Sequence, residues 1–140
     1  MLIEKMKKEH LEIIDLISNY LEHNPELRFG QALFNLKINE FQKTNDPRNL
    51  NYNIRDIHSD NDADILKRIK GQLKWFDLQK RVINGTSKVV EIERMTINEK
   101  LHATDLMELF DEMKEMNKEY AQYILKSLKV DKELIEKILK

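Results

Sequence analysis

Apolar residues fall along this chain of 140 residues at the three-and-four spacing of an α-helix, and little interrupts them. Ile3, Met6, Ile13, Ile14, Ile17 and Leu21 share one face of such a helix, because side chains three and four apart meet on the same side of the turn. The pattern predicts an all-α protein: two small helical units joined by a long basic helix.

The first helix is expected over residues 3–22, stopped by Asn24-Pro25 because the residue before proline is pushed out of the α region. Asn24 and Pro25 suit the cap and first position of a second helix. Its apolar residues Leu27, Phe29, Leu33, Phe34, Leu36 and Ile38 nearly encircle it, which predicts burial, with Gly30 admitting a close neighbour. Residues 42–53 are the most polar segment, and Asp46-Pro47 is a turn signal, so a surface loop is expected there. Ile65, Ile69, Leu73, Phe76 and Ile83 define a long helix over about 62–83, led by Asp60, Asp62 and Asp64 at its positive end. The competing reading of 82–92 is a β-hairpin turning at Asn84-Gly85 between β-branched residues. From Thr96 a Thr-x-x-Glu capping box opens a helical stripe through Leu101, Leu106, Phe110 and Met113, Asn117 starts another helix, and Asp131 a last one. The domain expectation is 1–83, a linker at 84–94, and a three-helix unit at 95–140.

Composition narrows function more than it names it. The net charge is −1, which selects no partner by global charge. Without cysteine there is no disulfide, thiolate metal site or thiol nucleophile. No apolar run is long enough to span a bilayer, and the start lacks a signal-peptide core, so no membrane association and a cytoplasmic location are expected. Lysine outnumbers arginine 18 to 6, and isoleucine alanine 15 to 4, the bias of an AT-rich genome, which points to a bacterial or phage source.

Two resemblances cover parts of the chain. "NPELRFGQALFNLKINEF", followed by "NLNYNIRDIHSDNDADILKRI", resembles a group of short uncharacterised bacterial and phage-associated proteins sharing Pro-x-Leu-Arg-Phe-Gly-Gln and, later, Arg-Asp-Ile. "MTINEKLHATDLMELFDEM", with "YILKSLKVDKELIEKIL", is similar to small bacterial proteins that begin near Asn-Glu-Arg-Leu and continue Leu-x-x-x-Phe-Asp. Met95 falls where such a protein would start, which implies a fusion of two units. This chain departs from the second pattern at Lys100, where arginine is usual, and at Thr104-Asp105, where a small pair such as Ser-Gly is usual. Neither resemblance brings an activity.

Catalytic and metal signatures are sparse. Asp60, Asp62 and Asp64 open like a calcium loop, but its sixth and twelfth positions would be Ile65 and Gly71 instead of glycine and glutamate. Glu99 and His102 form one Glu-x-x-His pair where a two-metal site needs two. Neither a nucleophile elbow nor a phosphate loop is present, and no catalytic residue, metal or cofactor is expected. A basic stripe, Lys67, Arg68, Lys70, Lys74, Lys80 and Arg81 with Trp75, suits an anionic partner. Arg28, Gln31, Arg55 and Asp56 form a candidate polar cluster, with Asp56 the expected mate of Arg28. The C-terminal hairpin has a helix-turn-helix skeleton, but its second helix carries Glu133 and Glu136, which would face phosphates. The expected function is non-enzymatic binding of a protein, as an inhibitor, adaptor or counter-defence factor. The alternative is a nucleic-acid-binding regulator using residues 67–81 or the C-terminal hairpin.

Overall fold

The computed structural model describes residues 6–43, 47–48 and 52–140. Among them the chain forms α1 (Lys8–His23), α2 (Phe29–Asn35), β1 (Phe41–Lys43), β2 (Tyr52–Ile54), α3 (Asp62–Thr86), α4 (Ile97–Ala103), α5 (Met107–Met116), α6 (Lys118–Ser127) and α7 (Lys132–Ile138). The fold is all-α apart from one two-stranded antiparallel hairpin. Two compact units, Met1–Lys74 and Trp75–Lys140, divide within α3. The segment expected as a linker instead completes α3 and makes a short 3-10 turn at Ile92–Arg94. The expectations at Ile3 and Asp46 fall outside the described residues.

In unit 1, α1 ends as its sequence implies, with Asn24 as C-cap. Asn24 does not start the next helix; its side-chain amide donates to the Tyr20 carbonyl at 2.9 Å. Residues 25 and 26 turn, and α2 begins only at Phe29, where the backbone N–H of Arg28 donates to Gln31 Oε1 at 2.9 Å. The expected all-round burial of this helix does not occur: Ala32 is buried, Phe29 is exposed, and a Cβ at Gly30 would meet nothing within 4 Å. Leu36, Ile38 and Ile69 form the buried core, with Ile13, Ile17, Leu33 and Leu73 packed half-buried against it.

The long helix expected over about 62–83 forms as Asp62–Thr86, and the competing hairpin reading of 82–92 does not hold. Residues 82–86 are helical and no strand occurs over 82–92; the strands lie in the polar segment expected as loop, pairing Phe41 with Ile54, Gln42 with Asn53 and Lys43 with Tyr52. Asn-Gly favours a tight turn only when the flanking residues are free to extend. Here Val82 is 1% exposed within the core of unit 2, so burial of the helical face overrides the local turn preference.

Unit 2 is built on twelve buried apolar residues, among them Leu78, Leu101, Phe110, Ile124, Leu125 and Leu128. The Thr96–Glu99 capping box forms, each backbone N–H reaching the other side chain at 3.2 Å, and Asn117 Oδ1 accepts from the N–H groups of Glu119 and Tyr120. The unit holds four helices after α3 where three were expected, because the stripe from Leu101 to Met113 breaks at Thr104–Leu106. Asp105 sits at φ 59° there, and the Leu106 N–H reaches the Leu101 carbonyl at 2.9 Å, the Schellman geometry that glycine usually supplies. Lys37 and Lys129 end α2 and α6 the same way, at φ 61° and 63°. Without glycine at these positions the breaks leave little trace in the sequence. The glycine that is required is Gly85, where an added Cβ would lie 2.5 Å from the Thr104 carbonyl oxygen.

Candidate functional site

The hairpin in unit 1 is short and exposed, and its two sides differ. Cross-strand partners project to the same face of a sheet, so Phe41, Lys43, Tyr52 and Ile54 share one face while Gln42 and Asn53 share the other. Phe41, Tyr52 and Ile54 are 63%, 61% and 62% exposed. In most small sheets the apolar face packs on the core; here it is open, apart from the Phe41 ring stacked on Phe34 at 4.8 Å.

An ionic cluster gathers at the strand ends. Glu40 precedes β1 and Arg55 follows β2, and the Arg55 N–H donates to the Glu40 carbonyl at 2.8 Å. The Arg55 guanidinium grips Asp60 through both oxygens, at 2.9 and 2.7 Å, and lies 3.2 Å from the Glu40 carboxylate. Arg68, from the first half of α3, meets the same Asp60 at 3.0 Å and donates to the carbonyls of Lys37 and Ile38 at 2.9 and 3.1 Å. Asp60 thus ties the strand ends to α3 and to the end of α2. The paired hydrogen bond from Arg55, joined by its charge and by Arg68, lowers the Asp60 carboxyl from 3.8 to about 2, and Asp60 in turn raises Arg55.

The expected polar cluster is therefore assembled from different members. Arg55 is in it, but Arg28 and Gln31 are exposed, and no ion pair joins Arg28 to Asp56 among the described residues. Asp56 instead accepts the His58 N–H at 2.9 Å, closing a local turn. Sequence reasoning placed Asp60 as a helix-start acid and missed Glu40 altogether. The one local signal was the alternation of Tyr52-Asn53-Ile54, three residues long and too short to announce a strand.

The basic stripe divides between the units. In unit 1, Arg68 is spent on the Asp60 cluster, and Lys70 Nζ pairs with Glu12 at 2.6 Å. Lys67 and Lys74 line an open groove of about 630 Å³ with Lys8, Lys70, Glu9 and Glu12. In unit 2, Trp75 packs against the rings of Tyr120 and Tyr123 at 5.1 and 4.8 Å, while Lys80 and Arg81 are exposed. A second groove of about 470 Å³, with Ile97, Leu101, Met107 and Phe110 in its lining, lies wholly in unit 2. No helix among the described residues is long and apolar enough to cross a membrane. Comparison with family models, with curated proteins and with solved structures finds no match to this chain.

Proposed function

We propose that the protein acts without catalysis, by binding another protein through the apolar face of its hairpin. The observation that carries this reading is the exposure of Phe41, Tyr52 and Ile54 together on one face, held in place by the Asp60 cluster behind the strand ends. Apolar side chains grouped on an anchored element gain free energy, roughly 25 cal/mol per Å², when a partner removes them from water. An adaptor or inhibitor needs a surface of this kind and no reactive groups.

The nucleic-acid alternative draws on less. Of the six cations in the basic stripe, Arg68 and Lys70 already serve internal carboxylates, Glu9 and Glu12 line the same groove as Lys67 and Lys74, and the indole packs on tyrosines.

The test is capture from an extract of the source organism by the immobilised wild-type chain, beside a chain carrying Phe41→Asn, Tyr52→Asn and Ile54→Asn. A protein held by the first and released by the second, with nuclease making no difference and circular dichroism unchanged, is the expected result. Equal capture by both chains, or loss of capture on nuclease treatment, refutes the proposal.

A further inference from the structure

The parity of the hairpin's hydrogen bonds determines which backbone groups face outward. Glu40 and Arg55 are joined by a backbone bond, and in an antiparallel ladder bonded and non-bonded pairs alternate. Gln42 and Asn53 are therefore the next bonded pair, and the Phe41–Ile54 and Lys43–Tyr52 pairs are non-bonded. It follows that Tyr52 and Ile54 aim their N–H and C=O groups away from β1, along the outer edge of β2, as Phe41 and Lys43 do along the outer edge of β1. Among the described residues, no backbone hydrogen bond outside the ladder engages any of these four residues.

The two edges are protected differently. Natural sheets guard an open edge with a charge, a proline or a bulge. On β1, Lys43 supplies the charge, and Phe41 is stacked on Phe34. On β2, Tyr52-Asn53-Ile54 carries no charge and no proline, and its register is continuous. The unguarded edge is also symmetric about Asn53, since the same outward groups recur one residue to either side.

We propose that two copies of this chain pair edge to edge through β2, antiparallel about a two-fold axis at Asn53. Tyr52 of each copy then stands opposite Ile54 of the other and exchanges both backbone hydrogen bonds with it, an aromatic–aliphatic pairing that favours sheets. The two Asn53 residues face each other as a non-bonded pair. No like charges meet across this seam. The assembly closes at two copies, because the edges left outside are the guarded β1 edges, and an isologous contact of this kind uses up its own surface. Pairing sets the apolar faces of both hairpins side by side, doubling the docking face. The inference rests on reading the hairpin as an exposed docking element and names its first partner.

The chain has no cysteine, which makes a cross-link test clean. In a non-bonded antiparallel pair the Cα atoms stand about 4.5 Å apart, within reach of a disulfide. The full-length Asn53→Cys chain is expected to oxidise to a covalent dimer at protein concentrations where Gln42→Cys, on the same face of the hairpin but on β1, away from the seam, stays monomeric. Sedimentation of the unmodified chain between about 10 μM and about 1 mM, the range expected of a small interface, should show reversible dimerisation. Ile54→Lys, which guards the edge, and Ile54→Pro, which removes an outward N–H and leaves the inner ladder intact, should each weaken it at least about tenfold, a change of about 1.4 kcal/mol. A wild-type chain that stays monomeric throughout, a dimer indifferent to both Ile54 substitutions, or equal cross-linking at Gln42→Cys would overturn the pairing. Capture of another protein by a monomeric wild-type chain would leave the docking reading standing while this inference fell.

Discussion

The two units are close in length and opposite in construction. Unit 2 buries twelve apolar residues in one cluster, whereas among the described residues the cluster of unit 1 has three, Leu36, Ile38 and Ile69, surrounded by half-buried neighbours. Unit 1 supplements its thin core with the Asp60–Arg55–Arg68–Glu40 cluster. The difference shows how each kind of contact is used. Apolar packing is non-directional and makes a robust body, while charge-assisted hydrogen bonds are directional and can hold a small element at a set angle. The unit with the weaker core is the one that presents the open apolar hairpin.

The largest expected effect tests the apolar side of this contrast. Leu125 is fully buried in the core of unit 2, and Leu125→Ala should cost about 2–5 kcal/mol through lost transfer energy and the cavity left behind. Trp75, the single tryptophan, lies in that unit and reports its unfolding by fluorescence. Ile69 is as deeply buried in unit 1, but the half-buried side chains around it can close in, so Ile69→Ala should cost less than Leu125→Ala. Equal costs, measured in denaturant melts, would erase the distinction between the cores.

A smaller effect separates the glycines. Gly85→Ala places a methyl group 2.5 Å from the Thr104 carbonyl oxygen inside unit 2, and overpacking of this kind costs about 1–3 kcal/mol, more than the roughly 1 kcal/mol that alanine returns in helix propensity. Gly71→Ala, on the open side of α3 in unit 1, meets nothing within 4 Å and should stabilise by about 0.5–1 kcal/mol. The same substitution thus changes sign between a tightly packed unit and an open surface. Melting temperatures that fall for both, or rise for both, contradict that account.

Long periodic segments were legible in the sequence and short ones were not. The helical stripe of Ile65, Ile69 and Leu73 and the caps at Thr96 and Asn117 are local signals, and the structure keeps them. The breaks after Asn35, Ala103 and Ser127 were harder to see, because Lys37, Asp105 and Lys129 take the left-handed conformation where glycine would have marked it. The hairpin escaped because its apolar face is not buried and each strand spans three residues. The Asp60 cluster joins residues from 40 to 68, a pairing that no spacing rule encodes. Arg28 and Asp56 are partners only for a buried α2, and the Arg28 side chain is exposed.

The acid response of Asp60 is the most confined effect, and it tests the ionic side of the comparison. Arg55 holds the carboxyl at about 2 in the folded chain, against an ordinary value of 3.8. The unfolded chain therefore takes up the proton first, and folding loses this contribution as pH falls. The contribution is complete above about pH 4, shrinks through the interval between the two values, and is gone below about pH 2. Wild type and Asp60→Asn should be compared across the same pH series, so that acid effects common to both chains cancel. Their difference in unit 1 stability, followed through the amide signals of Phe41 and Tyr52, should narrow between about pH 4 and about pH 2. In unit 2, followed by Trp75, it should stay near zero throughout. A difference that is flat in unit 1 would mean that the hairpin is held by the stacking of Phe41 on Phe34 and by its own ladder. The contrast between an apolar body and an ionically anchored element would then lose its second half.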